Sequence, residues 1–283
     1  MTDSLFLLLK IFAILIIMIL LNGLILNIWI SLAQSLHLSR KLIIITSIGI
    51  LLSIPELFIA LNAIQLGTPE LALGNALGTA IILITLIAGV IAINKKELKT
   101  NEIFSSDNLN LLSFIALINI LLSFDGQLSR IDGVILVFFY FFYLFILSTL
   151  KGKFSLNERP KMSGKKKFLS ILGIIGGLAG IWALSFFLNK EAISLQESTA
   201  FTFFSIGAIL IAPLGAIPEL IFEIELDNKN KSNLTLSELF TSLLSNTTLI
   251  LGILLIFNPI SINGSIFYYF TVLFLALALL LFN

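Results

Sequence analysis

The chain has 283 residues, of which 58% are hydrophobic and only 12% charged, against about a quarter charged in a soluble domain. It has no cysteine, which excludes disulfides, thiol catalysis and cysteine metal centres. Its net charge of +1 carries little information; what matters is where the charges fall along the chain. Such a composition belongs in a bilayer, where spans of roughly 20 apolar residues leave room for about nine or ten crossings.

The first apolar run, 4–31, is too long for a signal-peptide core and lacks a small-residue cleavage site, so it reads as the first transmembrane helix. Further runs predict helices at 41–66, 70–94, 109–124, 130–150, 167–189, 199–226, 234–257 and 265–282. The basic segment "KGKFSLNERPKMSGKKK" divides them, giving a first half over 1–150, a basic loop over 151–166 and a second half over 167–283. With the N-terminus outside, every Lys and Arg except Lys10, Arg130 and Lys190 falls on the cytoplasmic side. That asymmetry predicts an integral protein of the plasma (inner) membrane with nine crossings and a cytoplasmic basic loop. The loop reads as a positive-inside anchor, with lipid binding as the alternative.

Two of the greasy runs are interrupted alike, by Ile54-Pro55-Glu56-Leu57 and Ile217-Pro218-Glu219-Leu220. The glutamates are 163 residues apart, and five predicted crossings separate them, so their helices run in opposite senses. A repeated motif on oppositely directed helices is the mark of an inverted-topology repeat. The following helices extend the register: Asn75 matches Glu238, Thr79 matches Ser242 and Leu83 matches Asn246.

A proline inside a span removes a backbone donor, and the freed carbonyls must be satisfied by protein, water or an ion. The backbone carbonyls of Leu52 and Gly215 are therefore candidate ligands beside the carboxylates, because hard cations take several oxygens. Two ionised glutamates at the midplane would repel; a divalent cation, two monovalent ions or protons would relieve them. Competition among these ions for one carboxylate pair is the physical basis of exchange. An unused charge at that depth costs about 3 kcal/mol or more. The bland alternative is a pair of proline kinks, each glutamate bound to a neighbour or facing water.

These residues resemble the signature repeats of the calcium/cation antiporter superfamily, the Na⁺/Ca²⁺ exchanger-like proteins. The resemblance covers about 49–90 and 212–252. "LLSIPEL" with "GNALGTAIIL" keeps Ser53, Pro55, Glu56, Gly74, Asn75, Gly78 and Thr79; "LGAIPEL" with "SELFTSLLSN" keeps Pro218, Glu219, Ser242 and Asn246. It implies an all-α polytopic membrane fold, with two broken helices meeting at the midplane around a four-site cation cluster. Glu56 and Glu219 would be its central, metal-ligating carboxylates, supported by Ser53, Thr79, Ser242 and Asn246. Asn75, Glu223 and Glu238 are additional candidates. Ca²⁺ with Na⁺ or H⁺ would be transported, and no cofactor is implied.

The departures thin out the Na⁺-type ligands: Leu52, Ala80 and Leu83 in the first repeat, and Gly215, Ala216 and Leu243 in the second. They favour H⁺ coupling, and they keep open a non-transporting relative acting as a membrane scaffold or assembly factor. The family has ten helices, whereas four are predicted after the basic loop. An enzyme is not expected, because no Ser-His pair, Asp dyad or His-Glu metal motif occurs in the spans.

Gly173, Gly176, Gly177 and Gly180 in the sixth helix read as a close-packing face, or, by the resemblance, as part of a sliding helix. His37, with no second ligand nearby, is an improbable metal residue. The "FFYFFYLF" run faces lipid or packs. Glu225 and Asp227 read as a solvated helix end, with Glu223 on the face of Glu219. Lipid and transported cations are the expected partners, nucleic acid is not, and the sequence is silent on homo-oligomers.

Overall fold

The computed structural model describes residues 2–39, 42–43, 46–87, 89, 118–119, 121–149, 162–217, 220 and 241–262, with isolated positions up to 275. Glu219, Glu223, Glu225, Asp227, Glu238 and most of the basic loop lie outside the described residues. Among the described residues, seven helices carry the architecture. They are α1 (Thr2–Ser35), α2 (Ile54–Gln65), α3 (Pro69–Ile82), α4 (Arg130–Thr149), α5 (Gly164–Ser198), α6 (Phe203–Gly215) and α7 (Thr241–Phe257).

Among the described residues, three helices are long and apolar enough to cross a membrane: Ser4–Ser35, Pro69–Leu86 and Gly164–Ser198. Two of them outrun the expectation. α1 extends past 31 to Ser35, and α5 begins at Gly164 and runs on to Ser198. Lys165, Lys166 and Lys167 therefore sit in the first turn of a helix, capped by Ser163, whose Oγ accepts from Lys166 N at 3.4 Å. At 1.5 Å per residue both helices exceed the roughly 30 Å apolar slab, so their ends reach the interfaces.

α1 buries one stripe, Ile11, Leu15, Met18, Asn22 and Ile25, at three- and four-residue spacing. Its other faces expose Leu5, Leu9, Phe12, Ile16 and Leu20, as a lipid-facing helix should. α5 contacts α1 in antiparallel fashion: Lys10 Nζ pairs with Glu191 Oε1 at 3.1 Å, and Lys167 Nζ donates to Ser35 O at 3.2 Å. Between these clamps Gly177 and Gly180 admit Ile25 and Leu21, whereas Gly176 faces open space. The expected close-packing face is present, and its partner is α1.

α3 is the opposite case, buried on every side from Leu71 to Ala80. Helix-to-helix attraction in lipid relies on close backbone approach. Here Gly74 and Gly78 lie against Phe204 O and Ala208 O of α6, while Gly207 lies against Leu71 O of α3. Gly133 of α4 and Gly252 of α7 meet in the same way. The aromatic run of α4 divides by face: Phe138, Phe141, Phe142 and Phe145 point outward, and Tyr140 and Tyr143 inward. The Tyr143 hydroxyl and Thr241 Oγ1 are 2.5 Å apart. Gln127–Leu128 (β1) and Ile260–Ser261 (β2) form a short antiparallel ladder that ties the entrance of α4 to the exit of α7.

His37 has a structural role. With φ of 59°, it closes α1 by donating its N–H to Gln34 O, while Leu38 N reaches back to Ala33 O. This is the left-handed turn that commonly ends a helix.

Candidate functional site

The run expected as a single helix over 41–66 is broken. Ser47–Leu51 is wound as a π-helical turn, Leu52 and Ser53 form a turn, and α2 restarts at Ile54 with Pro55 in its first turn. Proline is preorganised for that position and lacks the N–H that would have joined the two segments. Glu56 follows in the first turn of α2, where the helix dipole favours a carboxylate. It is 5% exposed.

In α6, Ile206–Ile211 is also π-helical, followed by an α turn, Ala212–Gly215, and a turn at Ala216. The proline inside that turn, Pro213, has no counterpart in the first half and ends the π segment earlier relative to Pro218 than Ser47–Leu51 ends relative to Pro55. The other two π segments agree better: the 163-residue offset carries Leu83–Ile87 onto 246–250, within Ser245–Ile250. There Thr247 and Thr248 return their hydroxyls to the carbonyls of Leu243 and Leu244, contacts that bend helices.

The two breaks meet. A methyl built on Gly215 would lie 3.7 Å from Glu56 Oε1. Beside them is a cavity of about 20 Å³ lined by Glu56, Asn75, Leu52, Pro55 and Gly215. Leu15, Met18, Ile19 and Asn22 of α1 cover it, with Ile59 and Ile211. A void of this size holds about one water or one ion.

Of the predicted ligands, the structure thus gathers Glu56, Asn75, Leu52 and Gly215 at one cavity. The Leu52 carbonyl already accepts Asn22 Nδ2 at 3.4 Å, which leaves it a second lone pair. Ser53, Thr79, Ser242 and Asn246 are buried but do not line the cavity. Ser53 Oγ and Thr79 Oγ1 make no hydrogen bond among the described residues, and neither does Asn246 Oδ1. Asn246 Nδ2 is held by Ser242 O at 3.0 Å. Buried polar atoms are seldom left so. No cluster of three or more His, Cys, Asp or Glu occurs among the described residues.

Two features escaped the sequence reading. Asn22 stands in an unbroken apolar run where nothing singles it out from Asn27. A polar seam also joins α2 to α5: Asn62 Nδ2 donates to Ser185 Oγ at 2.5 Å, and Asn189 Nδ2 to Ile59 O at 3.2 Å. Phe58 and Trp182 meet edge to face alongside, with ring centroids 5.2 Å apart.

The profile of the family described as "Sodium/calcium exchanger protein" matches residues 5–149 and 169–283, including both broken helices. The chain belongs to this family. Two relatives of the exchanger family chain are a putative antiporter, CaxA, of Alkalimonas amylolytica and the inner membrane protein YrbG of Escherichia coli K12. CaxA is 25% identical over 81% of this chain and 74% of its own length; YrbG is 26% identical over 76% and 68%. Among solved structures, the H⁺/Ca²⁺ exchanger CAX superposes with a TM-score of 0.68 at 14% identity, covering 95% of this chain and 80% of that one. The sodium-calcium exchanger NCX_Mj gives 0.63 at 22% identity, covering 98% and 90%. Both likenesses are of fold. The exchanger family places the chain among integral, all-helical membrane transport proteins, as the resemblance implied.

Proposed function

We propose that the chain is a secondary active antiporter that exchanges Ca²⁺ or a related cation for Na⁺ or H⁺. The observation that carries this reading is the meeting of Glu56 with the Gly215 break at a cavity of single-ion size. In this reading the halves 1–150 and 167–283 are inverted repeats, and Glu219, at the position equivalent to Glu56, supplies the second carboxylate. Ser53, Thr79, Ser242 and Asn246 are supporting oxygens. The N-terminus is outside and the basic loop cytoplasmic, in the plasma membrane.

H⁺ is the favoured counter-ion. The structurally similar CAX is named as an H⁺/Ca²⁺ exchanger, and Leu83, fully buried, stands where the second half has Asn246. A carboxylate pair passes protons without a preformed Na⁺ cage.

The test is ion flux in reconstituted vesicles under Na⁺ or H⁺ gradients, comparing wild type with Glu56→Gln/Glu219→Gln. Gradient-driven Ca²⁺ uptake that the double substitution abolishes is the expected result. Flux unchanged in the double variant overturns the site assignment.

The second reading, a membrane scaffold or assembly factor, draws on the buried Leu83 and Ala80 at positions where the resemblance implies polar side chains. Wild-type protein that moves no tested cation would favour it.

A further inference from the structure

α1 brings four residues to the cavity, Leu15, Met18, Ile19 and Asn22, which share one helical face. Three are apolar and seal the void. The fourth is an amide only 5% exposed, and a buried amide within a membrane span is an expensive choice unless it is used. Its two ends are treated differently. The Nδ2 end donates to Leu52 O, the carbonyl at the break, at 3.4 Å. A carbonyl can only accept, so this contact assigns the NH₂ end to Leu52 and leaves Oδ1 as the other end. Oδ1 is buried and makes no hydrogen bond among the described residues.

We infer that Asn22 Oδ1 is a cation ligand of the Glu56 site, contributed by α1 rather than by either repeat motif. The inference rests on the exchanger reading above. Its chemistry fits: an amide oxygen is a hard neutral donor of the kind that Ca²⁺ and Na⁺ accept. It also answers a deficit, because the first repeat has Leu83 where the second has Asn246, and Leu83 is fully buried and cannot coordinate. Asn22 adds a second amide, beside Asn75, to the Glu56 side of the site.

There is a consequence for coupling. α1 is clamped to α5 by Lys10–Glu191 and Lys167–Ser35 O, so a ligand on α1 ties that peripheral pair to ion occupancy. Displacing α1 along the bundle would remove an ion ligand, and a bound ion would hold α1 in place.

The experiment uses the full-length protein, purified in detergent and reconstituted. Equilibrium binding of ⁴⁵Ca²⁺, with Na⁺ as competitor, is measured for wild type, Asn22→Leu and Asn22→Asp. Leu keeps the branched shape, removes the oxygen and puts bulkier methyl groups beside the void, and it should weaken Ca²⁺ binding tenfold or more. Asp keeps an oxygen, adds a charge and loses the donor to Leu52 O; it should tighten Ca²⁺ relative to Na⁺ by about tenfold. A merely structural Asn22, needed only to hold Leu52 O, would make Asp as damaging as Leu, and that result overturns the inference. Ca²⁺ binding unchanged in Asn22→Leu overturns it as well, and leaves the exchanger reading standing. Should Asn22→Leu fail to fold, Asn22→Asp decides alone, and an unchanged Ca²⁺-to-Na⁺ preference in that variant overturns it. Wild-type protein that binds neither ion removes both the inference and the reading beneath it.

Discussion

Gly215, from the second half of the chain, faces Glu56 from the first: a methyl built on Gly215 would sit 3.7 Å from Glu56 Oε1. The arrangement sets a carboxylate at the start of one helix opposite the last residue of the helical turn Ala212–Gly215. A residue without a side chain is what allows the cavity between them.

Gly215→Ala should therefore be nearly neutral, since 3.7 Å is ordinary contact. Gly215→Val adds two further methyl groups beside a void of about 20 Å³ and should fill it. Ca²⁺ affinity, measured by equilibrium binding, should fall at least tenfold for Val and less than threefold for Ala. Equal behaviour of the two would mean that the cavity is not the ion site.

Close backbone packing between α3 and α6 predicts a sharp dependence on side-chain size. A Cβ on Gly74 or Gly207 would lie 2.2 Å from a carbonyl oxygen of the facing helix, so either Ala substitution must push the helices apart. Overpacking of this kind costs about 1–3 kcal/mol. Thermal unfolding in detergent should show lower midpoints for Gly74→Ala and Gly207→Ala. Gly176→Ala, which meets open space, should match wild type.

The seam between α2 and α5 can be measured by a double-mutant cycle on Asn62→Leu and Ser185→Ala. Interhelical hydrogen bonds in membrane proteins average about 0.6 kcal/mol and reach about 1.7. The coupling here should lie in the upper part of that range, because Asn62 and Ser185 are both fully buried and only 2.5 Å apart. A coupling near zero would mean that the contact is incidental.

Leu83→Asn restores the amide that the second half keeps at Asn246. Burying an amide without a partner costs about 1–3 kcal/mol, so the variant should unfold at lower temperature in ion-free buffer. Na⁺ should return the midpoint towards wild type by binding the folded state. A midpoint indifferent to Na⁺ would show that position 83 is not near a monovalent site.

Much of this was legible in the chain. Long apolar runs set the membrane class, because an apolar span has no stable alternative to a helix in lipid. Proline beside glutamate marked the break ahead of Pro55, and the same motif recurs at a 163-residue interval. The break at Leu52–Ser53 follows from Pro55 by local chemistry alone. Helix ends were less legible: α5 runs well beyond 189, since polar residues such as Asn189, Lys190 and Glu191 end an apolar run without ending a helix.

What only the tertiary structure decided is which faces meet. Sequence periodicity assigns a residue to a stripe but not to a neighbour. Asn22 and Asn27 look alike along the chain, yet packing turns Asn22 into the Glu56 cavity. The glycines of α3 could have met any helix, and backbone contact with Phe204 and Ala208 chose α6. The sequence by itself determined a membrane-embedded helical protein with a break ahead of Pro55-Glu56, because helix formation and lipid solubility are local properties. Only the folded arrangement brought the break at Gly215 to the carboxylate of Glu56, because that contact spans 159 residues of chain and depends on how whole helices pack.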